Sequence, residues 1–364
     1  MWTCKSEIEW RTLLAPLTKA EVDGNMIMVT TRFHNIAELV ETTNPIILEG
    51  LEPKELWKFF LACTFDDYRT EKDEDLLDIG RKIVEKLKFS PLAARTVGRL
   101  LKKDFTREHW MRVLERKEWG YQKGDEDIMP ALRISYHYLP FHLKKCFQLC
   151  ALFLEDYEFD GLELINMWKA LGIIDLSGQN TSIEQVGLQY LNTLVNTGIF
   201  SKVNKETYSY YVVHDLFHEL AQCISSYDCM RIDCSNIRYE SAQSSICHIS
   251  FIAQDSTTYS EGSEFYENIR KETDKLKQTL DIGNLRTLLF IGKYTASFDK
   301  IFQDMFKELK ALHVLSLVSI PSNFYHTDFQ NSSTFVILKS SYHLVRLLLC
   351  LTQSQDFMTW SFSI

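Results

Sequence analysis

The apolar and polar positions divide the chain into stretches of different period. Met26-Ile-Met-Val-Thr30 is an unbroken run of strand formers after Asp23-Gly24-Asn25, and it reads as a buried parallel strand. Helical spacing follows over 34–40, and Ile46-Ile47-Leu48 reads as a second short strand. A strand, helix, strand rhythm predicts a parallel α/β sheet with its ligand chemistry at the carboxyl ends of the strands. From Pro53 the period becomes helical, with helices expected over 55–65, 75–87 and 91–102. Pro91 suits the first turn of the last of these.

A further unit begins near Ile128, where Leu132, Ser135, Tyr136 and Leu139 share one helical face. Pro140 interrupts it before a helix over 143–152, and helices over 161–171 and 183–196 follow. Two strand-like runs, 198–204 and 208–213, flank a polar turn at Asn204-Lys205-Glu206 and lead into a helix over 215–224, with Asp215 read as its N-cap. Helices followed by a hairpin predict a winged-helix domain. Residues 225–263 are polar and weakly periodic, which predicts a connector with one strand at 246–252. Beyond it, Leu285-x-x-Leu288-x-Phe290, Leu312-x-x-Leu315-x-Leu317 and Leu344-x-x-Leu347-x-Leu349 recur at intervals of 27 and 32 residues. That pattern resembles degenerate leucine-rich repeats, each supplying one strand and needing neighbours to bury its apolar face.

Composition narrows the classes. With 364 residues, 45% hydrophobic and 13% aromatic, the chain can bury two or three compact units, and disorder is excluded. A net charge of −9 opposes sequence-independent attraction to nucleic acid or an anionic membrane, either of which needs clustered Lys and Arg. Nine irregularly spaced cysteines without CxxC pairs read as reduced thiols. Charges at Lys5, Glu7 and Glu9 interrupt any signal-peptide core, and no stretch nears ~18 uninterrupted apolar residues. A soluble, cytoplasmic chain with no membrane span is therefore expected.

Ordered blocks then carry a family resemblance over about residues 1 to 225. Met26-Ile-Met-Val-Thr-Thr-Arg32 resembles the strand and sensor arginine of plant NB-ARC domains, and Leu48-Glu-Gly-Leu51 through Trp57-Lys-Phe-Phe60 resembles the next block. The segment ending Lys88-Phe-Ser-Pro-Leu-Ala-Ala94 is similar to the block reading Gly-Leu-Pro-Leu-Ala, with Ser90 in place of Leu. Lys145-Cys-Phe-Gln-Leu-Cys-Ala-Leu-Phe-Leu-Glu-Asp156 resembles Cys-Phe-x-Tyr-Cys-Ala-Leu-Phe-Pro-Glu-Asp, with Leu154 replacing Pro, and Val213-His-Asp215 resembles Met-His-Asp. The chain is accordingly identified as a member of the plant NB-ARC leucine-rich-repeat disease resistance proteins. Met1-Trp2 resembles the tail of an Asp-Asp-Val/Met-Trp motif, and no glycine-rich phosphate loop ending in Lys-Ser/Thr precedes it, so truncation at the N-terminus is expected.

The resemblance implies a multidomain α/β + α architecture. Residues 1–50 would be the C-terminal remnant of a nucleotide-binding α/β domain with a partial P-loop-type parallel sheet. Residues 51–127 would form a helical ARC1-like bundle and 128–226 a winged-helix domain. A connector would cover 227–275, and degenerate leucine-rich repeats would begin over 276–364. The intact family cycles between ADP and ATP states, which implies nucleotide-binding roles for Arg32, Pro91, Leu92 and His214. Arg32 would contact phosphate, Pro91 and Leu92 the adenine face, and His214 the β-phosphate of ADP. Read without the resemblance, Arg32 is a surface strand-end arginine, Pro91 and Leu92 start a helix against a core, and His214 is structural.

Two metal readings are weaker than packing. His214-Asp-Leu-Phe-His218 evokes a His-Glu-x-x-His zinc site, but its acid is one methylene short and its first histidine ends a strand. His142, Cys146 and Cys150 at helical spacing read better as core beside Phe147, Leu149 and Leu152. No catalytic constellation or metal site is expected, with at most slow ATP hydrolysis in an intact parent. Expected partners are other immune receptor chains, pathogen effectors or the host proteins they target, with no direct nucleic acid. The rival readings are a regulator or decoy that binds full-length receptors, and a non-functional product. A DNA-binding winged helix is opposed by the acidic balance and by Asp156, Glu158 and Asp160.

Overall fold

The computed structural model describes residues 28–31, 34–40, 44–65, 74–121, 127–174, 181–233, 245–253, 280, 282–292, 309, 311–318 and 333–337. The chain divides into two compact units, Met1–Glu52 and Pro53–Ile364.

In the first unit, helix α1 spans His34–Val40 as its spacing predicts. Neither expected strand is found among the described residues: 28–30 and 46–48 lack strand pairing, and 26–27 lie outside the described residues. Ile46, Ile47 and Leu48 are 89%, 76% and 86% exposed. A strand exists only through its ladder partner, and no strand lies among the described residues of this unit, so apolar character alone is not enough. Met1-Trp2 and Arg32 lie outside the described residues.

The second unit opens with a helical bundle: α2 Pro53–Thr64, α3 Glu74–Val84, α4 Pro91–Leu101 and α5 Arg107–Leu114. The first, second and third of these match the apolar spacing, while α5 follows from the cap at Thr106, whose hydroxyl accepts from the His109 N–H at 3.3 Å. Phe60, Ile83, Val97, Leu101 and Trp110 are fully buried between them. Glycine allows α2 and α4 to approach closely, since a Cβ at Gly98 would come within 2.9 Å of Cys63 Cβ and Thr64 Oγ1. Trp57 stacks on Phe60 with ring centroids 5.8 Å apart and lies half-buried under Arg81.

Next come α6 Met129–His137 and α7 Phe141–Gln148, then a 3-10 turn Leu149–Leu152, so the helix expected over 143–152 tightens in its last turn. Helices α8 Gly161–Ala170 and α9 Ile183–Asn196 lead into an antiparallel wing, β1 Phe200–Asn204 and β2 Ser209–Val213, and then α10 Asp215–Ser225. A capping box at Ser182 and Gln185 starts α9. Cys146 and Cys150 are buried among Phe147, Leu149 and Leu152, as small hydrophobes, and burial raises both thiol pKa values. Phe153, Tyr157, Phe159, Phe200 and Tyr211 form an aromatic cluster, tilted between Phe153 and Tyr157 and edge to face in its other pairs.

The segment expected as a connector holds two strands rather than one: β3 Cys229–Asp233 and β4 His248–Ala253. They pair in parallel with each other and with β5 Thr287–Gly292 and β6 Val314–Val318. β7 Ser333–Ile337 closes this five-stranded sheet antiparallel to β6. The second and third parallel neighbours fall on the first two leucine-patterned runs, whereas the run at 344–349 lies outside the described residues. Pairing across 19 to 39 residues is non-local, so β3 has no signal in its own neighbourhood. Ile252, Leu289, Ile291 and Val314 share one apolar core with Phe147, Phe153 and Phe217 of the preceding helical region.

Candidate functional site

Three helix beginnings meet around one cavity of about 410 Å³ in the second unit, a size typical of small-ligand sites. Helix α4 contributes Ser90, Pro91, Leu92 and Arg95. Ser90 is its N-cap, with the hydroxyl accepting from the Ala93 N–H at 3.3 Å, and Pro91 occupies the first turn, where no N–H is needed. Ile128, the residue preceding α6, lines the next wall. There the Asp127 carboxylate accepts from the Met129 N–H at 3.0 Å. His214 and Leu216 come from the start of α10, and Phe59 closes the cavity from α2.

The structure therefore brings Pro91 and Leu92 together with His214, which stands more than a hundred residues further along the chain. Arg32 lies outside the described residues. Spacing did not single out Phe59, Arg95, Ile128 or Leu216. Arg95 had one available signal: it follows Pro91 by four residues and so shares its helical face.

His214, not Asp215, is the N-cap of α10, which corrects the expected cap by one residue. Its Nδ1 accepts from the Leu216 N–H at 3.3 Å and sits against the Asp215 carboxylate. That leaves Nε2 as the ring's other polar atom. Asp215 Oδ1 also accepts from the Leu216 N–H, at 2.8 Å. His218 is buried elsewhere, with Nε2 2.9 Å from the Phe153 carbonyl oxygen, so that nitrogen carries the proton and donates. The two histidines are thus committed to different neighbours. Among the described residues, no group of three or more His, Cys, Asp or Glu side chains is arranged to hold a metal ion.

The lining combines an apolar wall of Phe59, Pro91, Leu92, Ile128 and Leu216 with cationic and dipolar groups. Arg95 supplies the permanent charge, and among the described residues no carboxylate lines the cavity. The partial positive charge at the start of α4 adds to it, while the carboxylates of Asp127 and Asp215 offset that of α6 and α10. Such a donor set fits a ligand with one flat apolar part and one anionic part.

Comparison with known proteins finds similarity to plant disease resistance proteins. The family model described as Disease resistance protein Winged helix domain matches residues 152–221. The chain is 34% identical over 231 residues to the putative disease resistance protein RGA1 of Solanum bulbocastanum, covering 63% of this chain and 23% of that protein. It is 30% identical to the putative disease resistance RPP13-like protein 1 of Arabidopsis thaliana, covering 60% and 20%. With the ToMV resistant protein Tm-2 netted virescent of Solanum lycopersicum it shares 29% identity, over 83% of this chain and 35% of that protein. The chain thus spans about a quarter of the length of the first two relatives. Among the described residues, no helix is long and apolar enough to cross a membrane. With a resistance-type winged helix over residues 152–221 and plant disease resistance proteins similar to it over 60–83% of its length, the chain resembles the plant NLR-type disease resistance proteins.

Proposed function

We propose that this chain supplies the sensor side of an ADP-dependent conformational switch in plant defence signalling. The observation that carries the reading is the convergence of Pro91, Leu92 and His214 on one cavity with three helix beginnings. In this reading Pro91 and Leu92 pack against the adenine face, and His214 Nε2 meets the β-phosphate. A ligand that binds one domain arrangement better than another shifts their populations by that difference in affinity, and no catalysis by these residues is required. ATP would favour the alternative arrangement. The parallel strands β4 to β6 are the beginning of a leucine-rich-repeat surface, with other receptor chains, effectors or host proteins targeted by effectors as its partners.

Calorimetric titration of the purified chain with ADP tests the switch. Saturable binding is expected, weakened about tenfold or more by His214→Ala through loss of one hydrogen bond to a charged group. A wild-type chain that shows no saturable ADP binding would remove the proposal.

A further inference from the structure

We propose that Arg95 is a second anion-holding residue of this cavity and sets its preference for a nucleoside diphosphate over the bare nucleoside. The inference rests on the nucleotide reading of the cavity and deepens it. Helix α4 carries two arginines one turn apart, and their situations differ. Arg99 Nη1 donates to the Val195 carbonyl oxygen at 3.1 Å, so protein structure uses that guanidinium. Arg95 Nε is buried from solvent with no hydrogen-bond partner among the described residues, and its side chain lines the cavity. A buried, unpaired N–H of a charged group is stable when a ligand completes it.

The surroundings select the ligand's chemistry. Among the described residues no carboxylate lines the cavity to neutralise Arg95, and the beginning of α4, capped by the neutral Ser90 hydroxyl, adds positive potential. A guanidinium presents a planar fork of donors that two phosphate oxygens can accept from together, whereas an adenosine moiety offers no anionic group for it. Arg95 lies one turn beyond Pro91 on the same helical face, so a ligand whose base packs on Pro91 carries its phosphates along the same lining. His214 approaches from α10, giving the diphosphate a guanidinium and an imidazole nitrogen.

The test is calorimetry on the full chain with ADP, adenosine and pyrophosphate, using wild type, Arg95→Gln, Arg95→Lys and His214→Ala. Arg95→Gln is expected to weaken ADP and pyrophosphate by about 10- to 100-fold with adenosine unchanged, and Arg95→Lys to recover part of the loss as a point charge. The unliganded melting temperature should change little in Arg95→Lys, because Nε has no hydrogen-bond partner to lose among the described residues and the lysine keeps the aliphatic stem. If Arg95→Gln does not fold, the Arg95→Lys titration alone decides, through a loss confined to the phosphate-bearing ligands. Equal ADP affinity in wild type and the Arg95 variants would overturn the role of Arg95 and leave the nucleotide reading standing. Parallel loss of adenosine and ADP would make Arg95 structural and overturn it too. Absence of ADP binding by wild type would overturn both proposals together.

Discussion

Phe89 has φ 56°, in the left-handed region that a bulky side chain avoids, and its side chain is 52% exposed. The block it belongs to carries glycine at this place, and the turn before Ser90 supplies the physical reason. Phe89→Gly is therefore expected to stabilise the chain by about 0.5–1 kcal/mol in urea denaturation, the relieved strain exceeding the added flexibility of the unfolded chain. Two titratable groups act oppositely on stability. Burial lowers the His248 pKa to about 4; Asp228 opposes this, while Lys145, Arg286 and His313 assist it, and Thr287 Oγ1 lies 2.8 Å from its Nδ1. The unfolded chain takes up a proton on this ring near pH 6.5 and the folded one only near pH 4, so stability is lost as pH falls between them. His248→Gln should remove up to about 3 kcal/mol of that pH dependence, read as the difference between the two denaturation curves. Glu163 is the reverse case: burial and then Asp160 raise its pKa to about 8, so folding holds a proton that the unfolded chain releases above about 4.5. Its cost appears as pH rises through that window, and Glu163→Gln should stabilise the chain at pH 8 by on the order of 2 kcal/mol after allowance for partial exposure.

At the scale of elements, periodicity located most helices because their buried faces recur locally. Helices α2, α4, α8 and α9 lie where the apolar spacing puts them, and caps at Ser90, Asp160 and Ser182 set their starts. Close contacts between elements were not visible in that spacing. Gly187 lies in α9 against α8, where a Cβ would meet Ile165 Cγ2 at 2.5 Å and Cγ1 at 2.7 Å. Ile165 is itself buried in the core, so it has no room to yield. Gly187→Ala gains about 1 kcal/mol of helix propensity but incurs a larger overpacking cost, and a net loss of about 1–2 kcal/mol is expected by chemical denaturation. Strand β3 shows the opposite limit: its parallel partner lies beyond a long intervening segment, so Cys229–Asp233 carried no local sign of a strand.

At the scale of the molecule, the apolar core does not stop at the end of the winged helix. Leu289 and Val314 of the parallel sheet belong to the same cluster as Phe217 of α10 and Trp168 of α8, and Arg231 Nη1 donates to the Phe153 carbonyl oxygen at 3.2 Å. Leu289→Ala and Phe217→Ala should therefore lower one common unfolding transition, by about 2–5 kcal/mol each, and a separate low-temperature transition for Leu289→Ala would contradict the shared core. The family resemblance, not the local pattern, put forward Pro91, Leu92 and His214, whereas the sequence by itself determined what is local: most of the helices, the wing hairpin and three of the described parallel strands. Each rests on a period, a cap or a short motif that a few consecutive residues define. Only the tertiary structure decided that Ile46-Ile47-Leu48 stays exposed, that β3 joins a sheet and that Arg95 lines the cavity. A strand needs a distant partner and a cavity needs walls from several helices, and neither is encoded within one stretch of chain.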